Sequence, residues 1–240
     1  MGIGIRRGGG GTGVSVEFFA DEAYQEVFPK PQPANKLLPE YFKKLNPQIT
    51  NDPESSTAKR CVPFLDAATQ GFIIPLWSDV FVTATNGQLT LKFPEGFPMP
   101  DSLGKHSPEQ IAGHPYQNHK YGNMPMKWIN PWGIKTPKGY SCLFTSPLNH
   151  LERRFKILDG VVDTDTYYNH INFPFLWTTP EDGEYFIEQG TPLIHVIPFK
   201  RETYNARFTG IDFKKYNDTR AKIGTMLRNK YRTLFWHKRK

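Results

Sequence analysis

Three runs between residues 136 and 201 decide the reading: TPKGYSCLFTSPLN (136–149), FKILDGVVDTDTYYNHINFPFLW (155–177) and EYFIEQGTPLIHVIPFKR (184–201). Together they hold the longest concentration of β-branched and aromatic residues in the chain. Gly, Pro, Asn and Asp punctuate them where strands must end. This pattern predicts a sheet core of short strands joined by turns. A chain of 240 residues can bury a full core in one main domain, and 21 Pro, 20 Gly and 14% aromatics suit many turns between short strands.

Working outward, residues 72–93, FIIPLWSDVFVTATNGQLTLKF, predict three short strands, with Asn86-Gly87 between alternating runs as the strongest hairpin signal in the chain. Residues 14–19 alternate as a strand would, and residues 21–27 cap and start a short helix. FPKPQPANKLLPEYFKKL (28–45) reads as a Pro-rich connector followed by a short amphipathic helix, with Leu38, Tyr41, Phe42 and Leu45 at helical spacing. The polar residues 49–59 read as a surface loop. Residues 94–126 are irregular, and a loop of that length is either functional or wrapped over the body. Within it, His114 and His119 have no third ligand at sensible spacing, so no metal site is expected. Trp128 and Trp132 are expected to pack under the sheet, although aromatics so close together also suit stacking on a base or sugar.

MGIGIRRGGGGTGV (1–14) lacks both the Lys-Ser/Thr of a P-loop and a strand before it, and reads as a mobile arm. Arg6 stands where a myristoylation signal needs Ser or Thr. There is no leader of the secretory kind and no apolar run near the roughly 20 residues that cross a bilayer. A cytoplasmic protein without a membrane partner is therefore expected. Cys61 and Cys142 have no metal spacing and are read as reduced, buried thiols.

The net charge of +7 is unevenly placed. Residues 212–240 carry ten Lys or Arg against two Asp, which leaves the rest of the chain close to neutral, so an electrostatic partner would be a partner of this tail. Asn217 or Asp218 is expected to cap a helix there, with Ile223, Met226, Leu227, Tyr231, Leu234 and Phe235 on one face. That helix docks on the body or a neighbouring subunit, contacts a polyanion, or, as the third reading, lies on an anionic membrane surface. For the second case the candidate residues are Arg228, Lys230, Arg232, Trp236, Lys238, Arg239 and Lys240.

Residues 137–140 (PKGY) followed by Ser146-Pro147, then 155–165 (FKILDGVVDTD), then 187–196 (IEQGTPLIHV) resemble the dUTPase and dCTP deaminase superfamily in order and spacing. The resemblance covers about residues 136–199 and extends weakly to 71–93. It implies a β-clip, a dUTPase-like barrel of short strands, here with a short N-terminal helix and a basic amphipathic C-terminal helix. The corresponding division is 1–60 as arm, connector and helix, 61–211 as β-rich core and 212–240 as basic tail. Gly160 and Gly190 would then sit at turns needing φ > 0. The whole chain also resembles a family of bacteria and their tailed phages, of uncharacterised activity, in which PLWSDV, NPW, TPKGYS, GVVDTD and GTP…VIPFKR recur.

Carried over residue by residue, the resemblance puts the catalytic carboxylate on Asp163 or Asp165 and the aromatic under the deoxyribose on Tyr167 or Tyr168. It puts the phosphate loop on residues 145–149, with Ser146 and Asn149, and Arg153 or Arg154 in place of the missing loop Arg. His195 stands where the closing strand has Gln, and GFIIPL has no counterpart of the first Asp motif. A triphosphate with Mg²⁺ needs more donors and cations than remain. By their own chemistry, the two acids read as shapers of an Asx-rich turn or as a ligand-facing pair, and His150, His170 and His195 as satisfied polar groups or a general base.

The leading expectation is a non-catalytic β-clip protein for binding or assembly, phage-associated, located in the cytoplasm of the host or in the virion, and acting as a homo-oligomer or in a larger assembly. No cofactor is expected. The alternative is a nucleotide pyrophosphatase or deaminase with a rearranged site, which alone would call for Mg²⁺. A third reading is a nucleic-acid-binding protein working through the basic tail.

Overall fold

The structure is a computed structural model that describes residues 13–99, 101–121, 124–225 and 231–237. The expected mainly β character is present as several antiparallel sheets with a few helices. The largest sheet has the order β13 (Gly160–Val162), β11 (Tyr140–Thr145), β16 (Pro192–Lys200), β5 (Phe72–Pro75), β2 (Gln32–Pro33). All its pairings are antiparallel, so distant parts of the chain meet side by side. A four-stranded sheet runs β12 (Phe155–Ile157), β14 (Phe173–Trp177), β9 (Met126–Trp128), β8 (Leu103–Lys105). A three-stranded sheet runs β15 (Gly183–Ile187), β6 (Val80–Thr85), β7 (Gln88–Lys92). Two small pairs join β1 (Glu17–Phe19) to β10 (Gly133–Lys135), and β3 (Gln48–Ile49) to β4 (Asp52–Ser56).

The reason for these strands is visible in β6, where Val80, Val82 and Ala84 face the core while Phe81, Thr83 and Thr85 face out. Its hairpin to β7 turns on Asn86 and Gly87, whose φ values of 50° and 77° are those of a turn that matches strand twist. The inner faces meet around Trp77, Trp128, Trp177 and Phe175, all fully buried. Trp128 stacks on Phe175 at 4.7 Å between centroids and meets Trp77 edge-on at 6.2 Å. Trp132 is buried as well, so both tryptophans that preceded the central runs are core residues. The long irregular stretch is wrapped over the body. It contributes β8, and Phe97, Met99 and Leu103 pack on the core.

Four α-helices, with short 3-10 turns between elements, complete the described fold: α1 (Glu22–Val27), α2 (Glu40–Lys44), α3 (Val62–Thr69) and α4 (Phe213–Thr225). Asp21 caps α1 by accepting from the Ala23 N–H at 2.9 Å. Several expectations are corrected. α2 is a single turn that buries only Phe42, and residues 49–59 form most of the β3–β4 hairpin rather than a plain loop. Residues 62–69 are helical. Gly190 has φ 85°, but Gly160 begins β13 without a positive φ. Cys142 is buried, and burial raises its thiol pKa, whereas Cys61 is exposed. α4 starts earlier than expected because Asp212, not Asn217 or Asp218, accepts from the Lys215 N–H at 3.0 Å. Among the described residues no helix is long and apolar enough to cross a membrane. The Gly-rich residues 1–12 lie outside the described residues.

Candidate functional site

β13 ends at Val162 and the chain turns over residues 163–166, held by the Thr166 and Tyr167 N–H groups donating to the Asp163 carbonyl at 3.1 and 2.9 Å. The middle residue fixes the turn. Thr164 is buried, with its hydroxyl 2.8 Å from that of Thr136 and donating to Cys142 Sγ at 3.4 Å. With Thr164 turned inward, its two neighbours converge on the other side, on Arg201 just beyond β16. The β11–β16 register puts Tyr140 opposite Lys200, which brings Arg201 to Gly139, where its N–H donates to the Gly139 carbonyl at 2.8 Å.

Asp165 receives a bidentate pair from Arg201, Nη1 to Oδ1 at 2.8 Å and Nη2 to Oδ2 at 2.5 Å, together with the Gly139 N–H at 2.8 Å. Its side chain is only 2% exposed. The Arg201 guanidinium, with the Gly139 N–H, holds this carboxyl down at about 2. Asp163 accepts from Ser141 Oγ at 2.7 Å and lies 3.2 Å from Arg201 Nη1, with its side chain 60% exposed. Arg201 also donates to the Tyr140 carbonyl at 3.1 Å and to Ser141 Oγ at 3.0 Å. Two acids and one arginine thus tie the end of β16 to the start of β11. A carboxylate held this way is a poor general base, because taking a proton would break the pair. Tyr168 stacks on Phe19 at 4.2 Å and 10°, and Tyr167 is half exposed.

The other end of β11 enters the loop 146–150. Ser146 Oγ accepts from the Ile157 N–H at 3.2 Å. His195 is fully buried; its Nδ1 accepts from the Leu148 N–H at 3.2 Å and its Nε2 donates to the Gln70 carbonyl at 2.5 Å, which fixes one neutral tautomer. Burial lowers its pKa, opposed by the Gln70 carbonyl. Asn149 adopts φ 63°, donates to the Phe64 carbonyl at 3.3 Å, and accepts from Tyr41 on its own carbonyl at 2.9 Å. These bonds bind the loop to β16, α3 and α2. Over the loop lies an open groove of about 540 Å³, bordered by Tyr116, Ser146, Asn149, His150, Arg153 and Lys156. Arg153 is exposed there. Arg154 points elsewhere, pairing with Glu152 at 2.6 Å and donating to the Phe186 carbonyl. Burial, then the fields of His195 and Lys43, pull His150 down to about 4, so it is neutral near pH 7.

The predicted site residues therefore fall into two groups. Asp163, Asp165, Tyr167 and Tyr168 gather near the start of β11, and Ser146, Asn149, Arg153 and His195 near its end. From Ser141 to Ser146 the strand rises roughly 17 Å at about 3.4 Å per residue. Within one copy of the chain the two groups do not share a site. The residue that sequence reasoning missed is Arg201, present in it only as the last residue of the VIPFKR run. The signal was its place after a long apolar strand whose antiparallel partner begins at a turn.

A third cluster involves the tail. A turn of π-helix at Tyr231–Phe235 leads to Trp236, whose indole N–H donates to Asp66 Oδ2 on α3 at 2.9 Å. Arg232 lies over the Trp236 ring at 5.7 Å, and with Lys59, Arg60, Cys61 and Asp66 they line a depression of about 210 Å³. Of the predicted polyanion-binding residues, Arg228, Lys230, Lys238, Arg239 and Lys240 lie outside the described residues. No protein-family model matches the chain, and no curated protein matches it.

Proposed function

We propose that the chain is a non-catalytic binding or assembly protein on a β-clip, dUTPase-like scaffold. It works as a homo-oligomer or within a larger assembly, in a phage particle or the cytoplasm of a phage-infected cell, as the resemblance of its motifs implies. The observation that carries the non-catalytic part is the state of Asp165, one of the two carboxylates, with Asp163, on which the resemblance puts the catalytic role. It is saturated by Arg201 and the Gly139 N–H. A working acid or base has to exchange a proton with its substrate, and a pKa near 2 with both oxygens engaged opposes this. The reading requires no cofactor. Purified protein incubated with dUTP or dCTP and Mg²⁺ is expected to give no turnover. Metal-dependent hydrolysis abolished by Asp163→Ala or Asp165→Ala would overturn the reading.

One observation favours a second reading, retention of a phosphate-binding function without the acid chemistry. The groove over residues 145–156 presents Arg153 and Lys156 beside Ser146, the residue types that hold phosphate oxygens. Titration with pyrophosphate or a nucleoside triphosphate separates the two readings: saturable binding lost in Arg153→Ala supports the second.

A further inference from the structure

Residues 202–223 follow β16 and are exposed at every position except Thr219, which is partly covered. They are not a polar tail. Phe208 is 96% exposed, Tyr204 83% and Phe213 68%, and Ile211, Tyr216 and Ile223 are each close to half exposed. A concentration of apolar side chains on that scale marks a contact surface, because water is a poor solvent for it. Yet both flanks of this arm are held in place. Arg201 is clamped to Asp165 on one side, and on the other Trp236 is docked on Asp66 of α3.

The docking site for the end of the arm is thus chemically defined: a carboxylate for the indole N–H, in a depression between Arg60 and Asp66 that Arg232 and Trp236 complete. A second copy offers the identical site. Glu202 pairs with Lys200 on β16 at 2.8 Å, but every residue from 203 to 218 is exposed, so the connector itself does little to favour the site on the same chain. Reach is sufficient too. Residues 202–212 in extended form span roughly 36 Å at about 3.3 Å per residue, and the 13 residues of α4 add roughly 20 Å at 1.5 Å each. A body of about 190 residues has a radius of gyration of roughly 16 Å.

We infer that two copies of this chain exchange their C-terminal arms, Trp236 of each docking against Asp66 of the other, with the exposed aromatic connectors packed together where they cross. Exchange of an identical element about a two-fold axis forms a closed dimer from a contact the fold already contains. The connectors must pass close to that axis, so Tyr204, Phe208, Phe213 and Tyr216 of one copy meet the same surface of the other and are covered. The inference rests on the assembly reading only in expecting copies to associate, and its test separates the two.

The exposed Cys61 borders the same depression as Arg232, which allows a direct assay. Wild-type full-length chain, with its thiol at position 61, is co-expressed with a chain carrying Cys61→Ser and Arg232→Cys, and a short bis-maleimide is added. A cross-linked product of twice the 27.6 kDa chain, absent when either chain is treated alone, is expected. A chain carrying Arg232→Cys with Cys61 retained, if it closes its link only within one chain, overturns the exchange. Light scattering on the unlabelled protein makes the second measurement. The wild type is expected as a dimer, and Tyr204→Ser with Phe208→Ser as a monomer of unchanged circular dichroism. A monomeric wild type, or a dimer unaffected by these arm changes, also overturns the proposal. The last of these outcomes leaves the assembly reading standing.

Discussion

The two ends of β11 and the arm after β16 are opposites. Around β11, Asp165, Ser146, Asn149 and His195 are each engaged by backbone groups or an arginine. Between 204 and 216 large apolar side chains, Tyr204, Phe208 and Phe213 above all, are held out in solvent. The residues that chemistry would single out are occupied with holding the fold, and the residues that chemistry would overlook are presented outward. That inversion is expected of a scaffold whose work is contact rather than turnover.

The sharpest way to break the comparison is at His195. Its buried ring bridges the partly buried Leu148 N–H and Gln70 carbonyl, and a group of this kind costs up to about 1–3 kcal/mol when left unpaired. His195→Ala is expected to destabilise by about 3 kcal/mol in urea unfolding, summing these two losses, and to open the loop 146–150 to protease. A cost below about 1 kcal/mol would mean that the ring is not holding the loop, and would return it to the list of candidate bases.

Acid titration tests both ends of β11 at once. His150 is depressed from 6.5 to about 4, so the folded state binds fewer protons than the unfolded one between those values, and stability is lost as pH falls through that window. Asp165 is depressed from 3.8 to about 2, so its contribution is complete above about 4 and is lost as pH falls toward 2. Two successive declines are expected. His150→Gln should flatten the upper one and Asp165→Asn the lower one, each read from urea midpoints against pH. A lower decline unchanged in Asp165→Asn would show that the Arg201 clamp does not exist in solution.

These residues also show how far the sequence could be read. The hairpin at Asn86-Gly87 was visible because both its turn chemistry and its flanking alternation are local. α3 was not, since eight residues give barely two turns of periodicity, and neither was the β3–β4 hairpin, whose polar strands carry little apolar alternation. The acids of GVVDTD were visible as residue types, but their meaning depended on Arg201, 36 residues beyond Asp165 in sequence, and hence on the register of β11 against β16. Local sequence does not encode such a register. For the same reason Ser146 and Asp163 looked like neighbours in one motif series while lying at opposite ends of a strand.

The arm supplies the smallest effect and the most specific one. A phenylalanine inside the core, such as Phe175, is fully buried, and its replacement by Ala is expected to cost about 3–5 kcal/mol. Phe208 is the same residue type at 96% exposure, so Phe208→Ala should change the unfolding free energy of dilute, dissociated protein by no more than about 0.5 kcal/mol. If the arm serves contact between copies, the same substitution must then lower the apparent stability of concentrated protein, because only association covers that ring. A difference between wild type and variant that grows with protein concentration is the expected signature. A difference that is large and independent of concentration would place Phe208 against its own body and remove the contrast on which the contact reading stands.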